Sequence, residues 1–140
     1  GDPAHSAYFI NDNGNASGAG TVTFTGNWTA YPGCGAQCFY GDDHGSSTTG
    51  ATATFQFTGT QIALFSVCDA GNGLAGFSLD GGAETMRDYY ASIRQGEQAI
   101  YTSPVLPFGP HELRVRVTGQ HASGSSGAAI SIDRAEVFTQ

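Results

Sequence analysis

The segment Ala51-Thr52-Ala53-Thr54-Phe55-Gln56-Phe57-Thr58 places Ala51, Ala53, Phe55 and Phe57 at alternate positions, with Thr52, Thr54, Gln56 and Thr58 between them. Successive side chains of an extended chain point to opposite sides, so this period of two predicts a strand with one apolar and one polar face. Thr21-Val22-Thr23-Phe24-Thr25 repeats the pattern. So do Leu113, Val115 and Val117, which alternate with Glu112, Arg114, Arg116 and Thr118 and so put both arginines on a solvated face. A half-buried strand must pair along its edges and cover its apolar face, which commits the chain to packed sheets.

Further strands are expected at Tyr8 to Ile10, Ile62 to Val67, Leu74 to Leu79 and Gln98 to Thr102. Ala129 to Phe138 reads as one last long strand with Ile130, Ile132 and Val137 facing inward. Gly59-Thr60 is expected to join its flanking strands as a hairpin, and Asp80-Gly81-Gly82 to form a tight turn. Only Arg87 to Gln95 has the pattern of a helical turn, and it reads better as a loop. The sum is about eight short antiparallel strands at spacings of roughly 10 to 20 residues, an all-β sandwich or jelly roll. There is no internal repeat. Ser123-Gly124-Ser125-Ser126-Gly127 is short enough to be a loop tip rather than a linker, so residues 1–140 form one domain.

The composition has 21 glycines, and all five cations are arginine: Arg87, Arg94, Arg114, Arg116 and Arg134. This is the look of a turn-rich extracellular protein. A net charge of −7 argues against nucleic acid and anionic lipid, which are held by clustered cations. No apolar run approaches the roughly 18 residues of a membrane-spanning helix, and the N-terminus lacks the regions of a signal peptide. The chain reads as a mature or excised fragment of a secreted protein.

Several phrases stand in a suggestive order: Gly26-Asn27-Trp28, Gly41-Asp42-Asp43-His44, Ala51 to Thr60, Leu79-Asp80-Gly81-Gly82, Gly109-Pro110-His111-Glu112-Leu113-Arg114-Val115 and Ile130-Ser131-Ile132-Asp133-Arg134. Together, over about residues 8 to 138, they resemble the galactose-binding-like β-sandwich modules appended to secreted, especially actinobacterial, glycoside hydrolases and polysaccharide lyases. The resemblance implies a jelly-roll fold, non-catalytic glycan binding, and an attached catalytic domain in the parent chain. It does not identify the sugar.

Loops of a sandwich gather at its two ends, so Tyr40 to His44, Asp69 to Asn72, Asp88 to Ser92 and Gln120 to Ser123 are expected to share a surface. A pyranose packs its C–H face on an aromatic ring and needs donors and acceptors around its rim. Tyr40, Tyr89 and Tyr90 are the candidate platforms, and Asp42, Asp43, His44, Asp69, Asn72, Asp88 and Gln120 the candidate rim. Tyr89 and Tyr90 are adjacent, so in an extended segment one of them points into the core. Asp42 and Asp43 also suit a turn between Gly41 and Gly45. Trp28, the single tryptophan, suits either strand-end packing or a platform, and His111 suits a strand entry.

No cofactor is required on this reading. Sandwiches of the resembled type often hold a structural calcium between an N-terminal segment and the last strand. Asp12 and Asp133, with Asn11 and Asn13, are the oxygen donors available here. No G-x-S-x-G, H-E-x-x-H or P-loop is present, which weighs against an independent enzyme. A monomeric binding module for polysaccharide or oligosaccharide is the reading that remains, with a protein-binding or adhesion module as its alternative. Asn15-Ala16-Ser17 and Asn27-Trp28-Thr29 match the N-glycosylation pattern, which matters only in a eukaryotic host.

Cys34-Gly-Ala-Gln-Cys38 lies among Pro32, Gly33 and Gly35, which let the backbone curl and close a small disulfide loop; as a zinc pair it lacks partners. Cys68 follows the apolar run Ile62 to Val67 and reads as a buried small hydrophobe. Thiol titration in denaturant without reductant is therefore expected to count one free thiol. A count of three, or a peptide map joining Cys68 to either partner, would refute the pairing.

Overall fold

The structure is a computed structural model that describes residues 7–11, 20–31 and 43–139. Among these residues there are twelve strands and no helix: β1 (Ala7–Asn11), β2 (Gly20–Thr25), β3 (Thr29–Tyr31), β4 (Asp43–Ser46), β5 (Thr52–Gly59), β6 (Gln61–Cys68), β7 (Leu74–Leu79), β8 (Thr85–Asp88), β9 (Gln95–Thr102), β10 (Gly109–Val117), β11 (Ile130–Ile132) and β12 (Arg134–Phe138). They form a four-stranded sheet β1-β12-β6-β9, a five-stranded sheet β2-β5-β10-β7-β8 and a small sheet β11-β4-β3, and every pairing between strands is antiparallel.

The alternation read from the sequence fills the space between the two large sheets. Ala53, Phe55, Phe57, Leu113, Val115, Val117, Ala75 and Phe77 come from the five-stranded sheet, and Ile10, Ile62, Leu64, Tyr101, Ala135 and Val137 from the other. Phe77 stacks on Tyr101 across the gap, with ring centroids 4.7 Å apart. The outer face of the five-stranded sheet is polar. Arg116 there makes a two-pronged pair with Glu84, at 2.8 Å to each carboxylate oxygen, which lowers the Glu84 pKa chiefly through those hydrogen bonds.

Three expectations are corrected. Gly59-Thr60 is not a hairpin, because β5 and β6 belong to different sheets. The corner is tied to β12, where the Thr60 N–H donates to Phe138 O at 2.7 Å, and a Cβ on Gly59 would lie 2.5 Å from that same oxygen. The expected strand over 129–138 is two strands, β11 in the small sheet and β12 in the four-stranded one, divided at the fully buried Asp133. His44, placed in a loop by sequence, lies in β4, between β3 and β11. Strands of three or four residues carry too little periodicity to announce themselves, which is why β3, β4, β8 and the separate β11 were not expected.

The turn after β7 took its expected form. Gly82 N–H bonds to Leu79 O at 2.9 Å, and Asp80 and Gly81 have φ of 51° and 75°, the doubly left-handed turn that suits a hairpin. Asp80 also reaches the neighbouring strand β10. Its carboxylate accepts from Glu112 N–H and from His111 Nδ1, each within 2.8 Å, while His111 Nε2 stands 2.8 Å from Pro107 O. With an acceptor at each ring nitrogen the imidazolium is favoured, and the His111 pKa rises, through the Pro107 carbonyl first and then Asp80. Because the folded pKa lies above the unfolded one, this stabilisation is complete below about pH 6.5 and is lost as pH rises through the folded value. The melting-temperature advantage of the native protein over His111→Phe should therefore shrink from about pH 5.5 to about pH 8. A gap independent of pH would show that no charged imidazole is held there.

Candidate functional site

The register carries the end of β2, the start of β5, the end of β10, the start of β7 and the end of β8 to one pole of the sandwich. The segments 69–73, 89–94 and 118–129 meet there through main-chain hydrogen bonds. Asp69 N–H donates to Tyr89 O and Ala91 N–H to Asp69 O, both at 3.1 Å; Tyr89 N–H donates to Gly73 O at 2.9 Å; Leu74 N–H donates to Gln120 O at 2.9 Å; and Gly73 N–H donates to Ala129 O at 2.6 Å. Gly73 is required by this crowding, since a Cβ would sit 2.5 Å from Gln120 O and 2.6 Å from the Ala128 Cα.

Ser125, buried in the Ser/Gly run, closes the cluster. Its hydroxyl lies 3.0 Å from Ala70 O, 2.6 Å from Asn72 O and 2.8 Å from Gly127 O, and can donate its one proton to any of them. Sequence reasoning missed this residue because Ser and Gly in a row carry only the composition of a loop tip.

Three of the four expected loops thus come together, and the adjacent tyrosines separate as anticipated. Tyr89 is fully buried in the core beside Ser66, and burial pushes its hydroxyl pKa up. It is therefore corrected from candidate platform to core residue. Tyr90 is half-buried at the pole and abuts Gly124, where a Cβ would lie 3.5 Å from the tyrosine hydroxyl. The Asp69 carboxylate accepts from Ala70 N–H at 2.8 Å and pairs with Arg94 Nη1 at 3.0 Å. Asp88, exposed, accepts from Tyr90 N–H at 2.9 Å and so sets the direction of the chain as it enters the site. Gln120 is exposed. Asn72 spends its amide on Val67 O at 3.0 Å and is a loop former.

His44 stacks on Phe24 at 4.3 Å, and Phe24 in turn meets Trp28 at 5.1 Å, so the imidazole lies in an aromatic cluster rather than on the Tyr90 rim. Asp133 is fully buried, as is Asn11. The β1–β12 register sets Asn11 opposite Arg134, the residue after Asp133. Tyr40, Asp42, Asp12, Cys34 and Cys38 lie outside the described residues, as does the side chain of Asp43, whose backbone opens β4. Cys68 is a buried thiol whose pKa is pushed up by burial and by nearby Asp88, the environment of an inert cysteine.

No protein-family profile matches the sequence, and comparison with curated proteins finds no match. Solved structures do match. A Paenibacillus xanthan lyase superposes with a TM-score of 0.61 at 16% identity, over 87% of this chain and 12% of the lyase. The CBM36-1 domain of a multidomain xylanase from the hindgut metagenome of Trinervitermes trinervoides gives 0.55 at 11% identity, over 94% of this chain and 95% of that one. A family 35 carbohydrate-binding module from Clostridium thermocellum gives 0.55 at 16% identity, over 93% and 96%. The chain therefore spans about an eighth of the lyase and nearly the whole of each binding module. It has the β-sandwich fold of carbohydrate-binding modules.

Proposed function

We propose that the chain is a non-catalytic carbohydrate-binding module that holds an attached secreted glycoside hydrolase or polysaccharide lyase on its polysaccharide. The observation that carries this reading is the half-buried Tyr90, set in a loop cluster braced by main-chain bonds and accompanied by Asp69, Arg94, Asp88 and Gln120. An aromatic platform with a rim of donors and acceptors is what a pyranose requires, and a braced rim loses little entropy on binding. The two full-length structural likenesses to binding modules support it.

Retention in affinity gels cast with a panel of polysaccharides tests the reading. Tyr90→Ala should weaken retention by about 1–3 kcal/mol with the circular-dichroism spectrum unchanged, and bound glycan should gain no reducing ends. The other reading, a protein-binding module, would use Val105 and Phe108, which are 74% and 65% exposed at the opposite pole. It predicts that no polysaccharide retards the protein at all.

Calcium belongs to the same proposal. Asn11 and Asp133 are both buried oxygen-bearing residues, but the register sets Asn11 opposite the cationic Arg134, and two donors are only part of the about six to eight ligands calcium takes. No group of three His, Cys, Asp or Glu side chains stands together among the described residues. If the ion is held, chelation should lower the melting temperature and added calcium should restore it. A melting curve indifferent to both would assign Asp133 to protein partners alone.

A further inference from the structure

The pole that bears Tyr90 carries a second aromatic ring at its far side. Trp28 follows β2 by three residues, its indole N–H donating to Thr25 O at 3.1 Å and its ring leaning on Phe24, and it is only partly buried. Thr25 and the end of β8 lie on the two edge strands of the five-stranded sheet β2-β5-β10-β7-β8. Four inter-strand steps at about 4.8 Å separate those edges by roughly 19 Å.

Polar contacts join the segments that lie between these edges. Gly119 rests directly on the Thr49 side chain, Gly50 N–H donates to Val117 O at 2.9 Å, and the Ser46 hydroxyl donates to Asn27 O beside Trp28. Thr48, Thr49, Gln120 and His121 are all exposed along this strip. Hydroxyls, an amide and an imidazole between two aromatic faces match the alternating C–H and hydroxyl surfaces of a sugar chain.

From this we infer that the pole is an extended, two-platform site that takes an internal stretch of a polysaccharide, lying from Tyr90 across the 118–124 segment to Trp28, rather than a single terminal sugar. One pyranose cannot reach both rings; several linked units can. The inference rests on the carbohydrate-binding reading above and specifies the ligand as a chain.

Trp28 is the only tryptophan, so its fluorescence reports occupancy of the distal end without any substitution. The probes are xylo-, manno- and galacto-oligosaccharides, graded from disaccharide to hexasaccharide and titrated into the native protein, Tyr90→Ala and Trp28→Ala, with Trp28→Phe as the variant that keeps an aromatic face if Trp28→Ala fails to fold. Affinity should rise with chain length in the series that binds. The hexasaccharide, not the disaccharide, should shift the tryptophan emission. Trp28→Ala should weaken the hexasaccharide on the order of tenfold and leave the disaccharide untouched, Trp28→Phe should recover most of that loss, and Tyr90→Ala should weaken both. A disaccharide that binds as tightly as the hexasaccharide, with unchanged emission and full dependence on Tyr90, would overturn the extended site while leaving carbohydrate binding intact. Absence of binding across all three series, together with no retardation by any polysaccharide of the panel, would overturn both.

Discussion

Tyr89 has its ring in the core between the sheets and its main chain in the candidate site. The ring is fully buried, while its N–H holds Gly73 O and its carbonyl holds Asp69 N–H. Moving this residue would therefore cost the burial of a large aromatic side chain and two hydrogen bonds at the loop pole together, which is how the core's rigidity is conveyed to the rim. The direction of Tyr90 follows from the same constraint. Neighbouring side chains in an extended segment oppose one another, so once Tyr89 is committed inward its successor must face the pole.

The frame that allows this is set where the chain changes sheets. At Gly59-Thr60 it crosses from the five-stranded to the four-stranded sheet, with Leu106 N–H closing on Thr60 O at 2.6 Å. At Asp133 it passes from the small sheet into the four-stranded one, with its N–H on Phe65 O at 3.2 Å. The small sheet is in turn bound to the larger one by Ser131, whose hydroxyl lies 3.0 Å from both the N–H and the carbonyl of Val67. Each crossing carries the chain from one sheet to another over a single residue.

Charge is distributed in keeping with the two poles. At the proposed glycan pole Arg94 is paired with Asp69 and so is not an isolated cation. At the other pole Asp80 and His111 lock the turn after β7 to the start of β10. Both are surface pairs whose worth is mainly geometric, holding a loop in place rather than adding much stability.

The strands with a period of two were legible from the chain alone. Ala53, Phe55 and Phe57, or Leu113, Val115 and Val117, have to be buried together because no other arrangement covers them, and the same rule foretold that one of Tyr89 and Tyr90 would be core. The polar character of the loops at 69–72, 88–92 and 120–123 was legible too, since turn and rim residues declare themselves by type. Sequence could not show which strands become neighbours. Pairing is decided by contacts between residues far apart in the chain, so only the tertiary structure moved Gly59-Thr60 from hairpin to crossing, divided the last strand at Asp133 and buried Ser125 as a clamp.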